Sequence, residues 1–336
     1  MRPIFAPELV NGPFGDPGLF LDFKFERRAL LFDLGDLAAL PPKKLLRVSD
    51  VFVSHMHMDH FFGFDRLLRV CVGRETGVRL YGPPGFLDQV EHKLAAYTWN
   101  LVENYPVDFV IAACEVDREW RPRAAQFRCH GRFRCEPAEP PTIAPGVLLD
   151  DPAFTVHAEF LDHKTPCLGF AVEEKTHVNV WKNRLAELGL PTGPWLKTLK
   201  DAVFAGAPGD TPIRAWWRDR EGTHERTYPL RELQEKVLEL VPGEKIAYVT
   251  DVVYHAENAR RIAALAADAD QLYIESVFLH ADADHATRKF HLTARQAGAI
   301  ARAARARHVI PFHFSPRYID RETALRAELE SARAGG

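Results

Sequence analysis

Three imidazoles and a carboxylate fall within the stretch SHMHMDH, Ser54 to His60, directly after the apolar run DVFV. Imidazole nitrogen and carboxylate oxygen are the donors that a borderline divalent ion such as zinc takes. After a buried strand, alternate residues point the same way, so His55 and His57 converge on one point. Asp59 and His60, where the chain turns into the helical pattern FFGFDRLLRV, face a second point. Four ligands are too few for two ions, and further donors stand in matching positions downstream. His163 follows the apolar strand FTVHAEF, Asp251 ends IAYVTD, and His313 follows VIPF. Taken singly, each reads as a surface histidine or a strand-end cap. Their shared placement after β-rich apolar runs points instead to one metal centre.

The elements that must position these residues fall into two halves. Residues 1–174 read mostly as strands (LFLDFKF, RALLFDL, DVFVS, VRLYG, VDFVIAA, FTVHAEFL, LGFAVE) around one clear helix, GFLDQVEHKLAAYTW. From about residue 229, helices and strands alternate through LRELQEKVLEL, KIAYVTD, AENARRIAALAA, QLYIES, TARQAGAIARAARA and HVIPFHF. Sheets covered by helices make a layered α/β architecture. Residues 175–228 differ. They are rich in Gly, Pro and Trp, show one short helical stretch, KNRLAELG, and read as an insertion rather than a second domain with its own core. The chain of 336 residues is 46% hydrophobic with a net charge of −3, so no global charge draws it to nucleic acid or membrane. No run approaches membrane-spanning length. Five cysteines without a paired framework favour reduced thiols in the cytoplasm. The pair in CHGRFRC, Cys129 and Cys135, has no partner pair at a structural-zinc spacing.

In their order, SHMHMDH, His163, Asp251 and His313 resemble the metallo-β-lactamase fold, a four-layer αββα sandwich with a two-metal site along one edge. Further segments resemble the ribonuclease Z family, endonucleases that remove the 3′ trailer of precursor tRNA. KNRLAELGLPTGPWLKTLK is similar to that family's protruding arm with its Gly-Pro motif, here Gly193 and Pro194. ESVF followed by FHLTARQAGAIA is similar to its glutamate and His-x-Thr segments, giving Glu275 and His291. PFHFSPRY and VRLYGPPGF resemble its terminal histidine block and its Gly-Pro turn. The likeness runs from about Leu30 to Tyr318. The first 30 residues and residues 114–150 have no counterpart in it.

The resemblance implies that His55, His57 and His163 hold one metal, that Asp59, His60 and His313 hold the other, and that Asp251 bridges them. It implies two zinc ions, with manganese or iron as alternatives, and a homodimer. Two such ions make a nucleophile available at neutral pH and stabilise the attacking and leaving oxygens of a phosphodiester displacement. Asp59 can orient that nucleophile, and Arg317 is placed to pair with the phosphate or else to make a plain surface salt bridge. Glu275 and His291 suit proton transfer to the leaving group, with His280 and His285 as competitors. In the arm, Lys182, Lys197 and Lys200 can track phosphates while the tryptophans stack or merely pack. Two other readings stand beside precursor tRNA: a small phosphodiester such as a cyclic nucleotide, with the arm as a lid, and a non-catalytic RNA-binding relative.

Overall fold

Runs such as ALLF and KIAYV are apolar almost throughout, the mark of strands covered on both faces, and they form the centres of two sheets. In this computed structural model, residues 4–335 are described apart from Phe25, Thr76, Thr176, Glu221 and Pro242. The first sheet is a continuous series of eight strands: β1 (Phe5–Leu9), β2 (Leu19–Phe23), β3 (Ala29–Phe32), β4 (Val48–Phe52), β5 (Val78–Gly82), β6 (Val110–Val116), β7 (Pro122–Arg128) and β8 (Cys135–Ala138). Strands β3 to β6 run parallel, and the outer strands are antiparallel.

β9 (Val147–Asp150), β10 (Phe154–Asp162) and β11 (Pro166–Glu174) start a second sheet, and β12 (His177–Val180), β13 (Pro212–Arg218), β14 (Thr223–Pro229) and β15 (Leu238–Val241) follow in two separate pairs. β16 (Lys245–Val249), β17 (Gln271–Glu275) and β18 (His308–Phe312) then complete the second sheet, in the order β18-β17-β16-β11-β10-β9.

The two sheets meet face to face through rings. Phe32 lies 5.6 Å from Phe170 and 6.0 Å from Tyr248, centroid to centroid. Helices cover both outer faces. Helix Phe64–Cys71 buries Phe64, Leu67, Leu68 and Cys71, the i, i+3, i+4, i+7 stripe of an amphipathic helix, against the first sheet. Ala256–Leu265, Ala294–Ala303 and Glu322–Ala334 share a core with the second. Each fully buried Leu or Phe in these layers contributes about 1.5–3 kcal/mol. The architecture is the αββα sandwich expected, and no helix among the described residues is long and apolar enough to cross a membrane.

One polar knot interrupts the first sheet. Asp50 is fully buried and accepts from Arg79, its register partner on β5, at 2.6 Å and from Arg28 at 3.0 Å. Removing one partner of a buried charge pair leaves the others uncompensated. The two arginines left behind reach solvent, so Asp50→Ala is expected to lower unfolding free energy by about 1–2 kcal/mol, read as a shift in denaturant midpoint at unchanged slope. A loss below about 1 kcal/mol would mean the two arginines are served by water alone.

A smaller compact unit comprises residues 150–155 and Glu173–Glu244. Here the structure departs from the sequence reading. Besides the helix Lys182–Glu187, the segment forms the helix Trp195–Phe204 and the hairpin β13–β14, and it has its own core around Leu185, Trp195, Leu199, Ile213 and Leu233. Trp195 and Leu199 are one helical turn apart, but flanking Gly and Pro make the stretch look irregular when read linearly.

Candidate metal centre

All the strand-end donors are carried by the larger unit, each in the loop that follows its strand. The backbone is tight where they sit. Asp251 and His313 adopt φ of 50° and 59°, as does Asp33 at 58°, a left-handed conformation that costs a non-glycine residue about 1–2 kcal/mol. Such outliers cluster where a side chain has to be aimed. The short helix Met58–Phe61 brings Asp59 and His60 in, and it is held close by Gly63. A Cβ at Gly63 would lie 2.1 Å from the Gly35 carbonyl oxygen, so only glycine allows that approach.

The donors gather into two adjoining clusters around Asp251. His55, His57, His163 and Asp251 form one, and Asp59, His60 and His313 form another. The two oxygens of Asp251 divide between them. Oδ2 faces His163 Nε2 at 3.2 Å and His55 Nε2 at 3.7 Å. Oδ1 faces His313 Nδ1 at 3.0 Å and His60 Nε2 at 3.3 Å. His57 is exposed and Asp59 half-buried, so the centre opens to solvent on their side. Glu275 and His291 join at the edge: His291 Nδ1 lies 2.9 Å from Glu275 Oε2, and both belong to a cluster with Asp251 and His313.

The donor chemistry fits divalent ions. His55 Nε2, His60 Nε2 and His313 Nδ1 are buried without a hydrogen-bond partner, an expensive arrangement unless a cation takes the lone pairs. For His55, His60 and also His163 the opposite nitrogen is engaged outside the clusters, which fixes which atom faces inward. His60 Nδ1 pairs with Asp33 Oδ2 at 2.9 Å, and His163 Nδ1 donates to the Phe290 carbonyl at 2.8 Å. His55 Nδ1 lies 3.1 Å from Ser54 Oγ.

Electrostatics point the same way. Burial, helped by His60, pushes His55 down to about 2, leaving it a neutral donor. Burial also opposes charge on His60, but Asp251 and Asp33 prevail and raise it to about 10. Burial works against ionising Asp251, Asp59 and Glu275, yet neighbouring imidazoles win. Asp251 is held well below the carboxylate range, and Asp59 and Glu275 are drawn down to about 2. Ionised carboxylates thus hold protons on imidazoles where an ion would otherwise supply the positive charge. His291 is raised: burial opposes its charge, and Glu275 overcomes the burial.

A cleft of about 350 Å³ opens beside the clusters, with His291 and His313 on one wall and Phe14, Phe278, His285 and Lys289 around them. That is room for one nucleotide-sized group. Phe14 belongs to the N-terminal turn, anchored where Phe314 N donates to the Pro13 carbonyl at 2.8 Å. Of the competing histidines, His280 Nδ1 lies 3.3 Å from the helix-capping Thr293 Oγ1, whereas His285 packs edge-on against Phe278.

The other predicted residues are not members of these clusters. Arg317 is half exposed, with its guanidinium 5.5 Å from the centre of the Phe278 ring and 3.9 Å from Asp282, and it is not among the gathered groups. Gly193 and Pro194 lead into the helix Trp195–Phe204 of the smaller unit. There Lys197 pairs with Asp201 at 2.9 Å, Lys182 is exposed at the start of its helix, and burial lowers the pKa of Lys200 despite Glu174. Asp33 is the participant that sequence reasoning missed. It accepts from Ser54 N at 2.7 Å, Ser54 Oγ at 2.9 Å and the Tyr248 hydroxyl at 3.1 Å while holding His60. Like the ligands, it follows an apolar strand, LLF, and that placement was the available signal.

No family model matches the chain. Among curated proteins, ribonuclease Z of Deinococcus radiodurans is 34% identical over 312 residues, 91% of this chain and 87% of that protein. Ribonuclease Z of Cyanothece sp. is 32% identical over 296 residues, covering 87% of this chain and 75% of its own. Among solved structures, human tRNase Z, short form, superposes with a TM-score of 0.52 at 19% identity, covering 94% of this chain and 91% of that one. The metallo-beta-lactamase fold protein YhfI from Bacillus subtilis gives 0.53 at 16% identity, over 97% and 93%. The structural likenesses show a shared fold.

Proposed function

The chain belongs to the ribonuclease Z family, and from that premise we propose that it is a two-metal endonuclease that removes the 3′ trailer of precursor tRNA. One observation carries the chemistry: the two oxygens of Asp251 face separate imidazole clusters, 3.2 Å from His163 and 3.0 Å from His313. In this reading His55, His57 and His163 hold one ion, Asp59, His60 and His313 hold the other, and Asp251 serves both. Nitrogen-rich donor sets of this kind suit zinc, with manganese or iron as the alternatives. A bound pair of such ions supplies a nucleophile at neutral pH and offsets charge on the attacking and leaving oxygens.

The protein's own groups do the rest. Asp33 holds His60, and the Phe290 carbonyl holds His163, each presenting Nε2 inward. Asp59, ionised and half-buried, orients the attacking group. His291, held by Glu275, gives a proton to the departing ribose 3′-oxygen. Arg317, only loosely held by Asp282, pairs with the phosphate. In the smaller unit, Gly193 and Pro194 shape the arm's helix start, and Lys182, Lys197 and Lys200 contact RNA phosphates. A homodimer and a cytoplasmic setting complete the reading. The first rests on the family resemblance, and the second is supported by five cysteines that are all free thiols.

The deciding experiment gives purified protein a precursor tRNA and, separately, bis-p-nitrophenyl phosphate and cyclic AMP. Cleavage at the trailer junction supports the reading; turnover of cyclic AMP with no tRNA cleavage would replace it with the small-diester alternative. Excising residues 175–243, whose flanking residues Glu174 and Glu244 are hydrogen-bonded neighbours, removes the smaller unit's core whole and is expected to weaken precursor tRNA binding and flatten its salt dependence by about one unit per lost phosphate contact. Hydrolysis of the chromogenic diester should persist. Equal loss on both substrates would make the arm a lid.

A further inference from the structure

We infer that the backbone of Phe290 is a positioning element that sets the metal ligand His163 and the proton donor His291 from a single peptide turn. This rests on the ligand and donor roles proposed above. Phe290 closes the helix Ala283–Lys289 with φ 61° and ψ 41°, the left-handed conformation usually given to glycine or asparagine at a helix end. A phenylalanine there is strained where glycine would not be, and what the turn achieves is visible on both sides. Its carbonyl accepts from His163 Nδ1 at 2.8 Å. With that nitrogen committed, His163 can only turn Nε2 toward Asp251, which lies 3.2 Å away. The next residue is His291, whose N–H returns to the Ala286 carbonyl at 3.0 Å and whose ring is caught by Glu275 at 2.9 Å.

The Phe290 ring has a separate role. It stands edge-on to His163 at 6.4 Å and lies under the Lys164 ammonium at 5.7 Å. Lys164 is itself in the left-handed region, at φ 62°. Two left-handed residues, Lys164 and Phe290, thus meet beside His163 through this contact. The carbonyl fixes which nitrogen faces the metal, and the ring only packs. Histidine ligands oriented in this way by a backbone carbonyl lose metal affinity when that partner is displaced.

Substitutions at Phe290 separate the two roles, because residues differ in how well they tolerate the left-handed region. Phe290→Gly and Phe290→Asn keep the turn and remove the ring, whereas Phe290→Val opposes the turn. Zinc affinity is read by chelator competition on each variant and on the native chain. Phe290→Val is expected to weaken one of the two zinc ions by roughly 10–100-fold, with Phe290→Gly and Phe290→Asn near the native value. Equal weakening in all three would assign the effect to the ring, and no weakening in any would remove the role; either result overturns the inference. Should Phe290→Val fail to fold, the metal-free native protein still decides. Long-range proton–nitrogen correlation of the histidines is expected to show His163 protonated at Nδ1, whether or not Nε2 facing Asp251 also carries a proton, and an Nδ1 without a proton would overturn the inference. If the native chain binds no zinc, it is the proposed function that fails, and the His163 tautomer is still measurable.

Discussion

Asp251→Ala is expected to leave the folded protein with neither metal position filled and with turnover reduced by roughly three orders of magnitude or more, about 4 kcal/mol in the barrier. Removing any single imidazole takes a donor from one cluster; removing Asp251 takes an oxygen from both, since Oδ1 and Oδ2 face different histidines. The carboxylate is held for this task. Thr250 Oγ1 donates to Oδ1 at 2.7 Å, and the following amide, Val252 N, donates to Glu275 at 3.1 Å. The pH dependence of metal binding should change as well. His60 is raised to about 10 and His313 well above its ordinary value; for each, burial opposes the proton and Asp251 is the first neighbour that favours it. At neutral pH both are protonated in the metal-free protein, so ion binding expels protons, and affinity falls as pH is lowered. Without Asp251 the raised values collapse toward ordinary imidazole, and any residual affinity should depend less steeply on pH near neutrality. Elemental analysis and chelator competition between pH 6 and 8 (working conditions of about one unit either side of neutrality) make the comparison. Two tightly held ions in Asp251→Ala would end the bridging assignment.

How far the sequence could be read depended on which physical rule each residue obeyed. The strand-end donors were legible because a buried apolar run followed at once by His or Asp is a linear pattern, and the structure brings all of them around Asp251. Asp33 obeys the same pattern after LLF but lies in a stretch without histidines, so its hold on His60 emerges only in three dimensions. The Phe290 carbonyl carries no side-chain signature whatever; its role depends on one positive φ angle. Nor does sequence reveal that Asp251 and His313 are themselves left-handed. The smaller unit was underread because its helix Trp195–Phe204 starts directly after Pro194 and buries only Trp195 and Leu199 fully. The N-terminal turn had no motif to match, yet Pro13 and Phe14 pack beside His313, through Phe314.

Replacing His291 with alanine should cut turnover of precursor tRNA by roughly 10²–10⁴-fold with both metals still bound. A ribose 3′-oxygen leaves poorly without a proton, and His291 is the cleft imidazole equipped to deliver one. Glu275 Oε2 takes its Nδ1 at 2.9 Å, while Oε1 accepts from Leu292 N at 2.9 Å, so the carboxylate fixes both the ring and the backbone beside it. Nε2 is then the nitrogen free to serve the cleft that His291 lines. His285 also lines that cleft, but no carboxylate hydrogen-bonds it among the described residues, and burial and Arg317 lower its pKa. A p-nitrophenolate departs without a proton, so on bis-p-nitrophenyl phosphate the His291→Ala loss should shrink to a small fraction of that seen with RNA. Glu275→Gln should reproduce the same leaving-group dependence more weakly, because the amide can still hold the ring but no longer favours its charge. Unlike His291→Ala it is expected to loosen metal retention, since Glu275 also accepts from Val252 N beside Asp251. A His291→Ala defect equal on both substrates, or loss of a metal ion, would show that His291 is a ligand or a structural residue. In that case the proton would have to come from His285, and His285→Ala would show the leaving-group dependence instead.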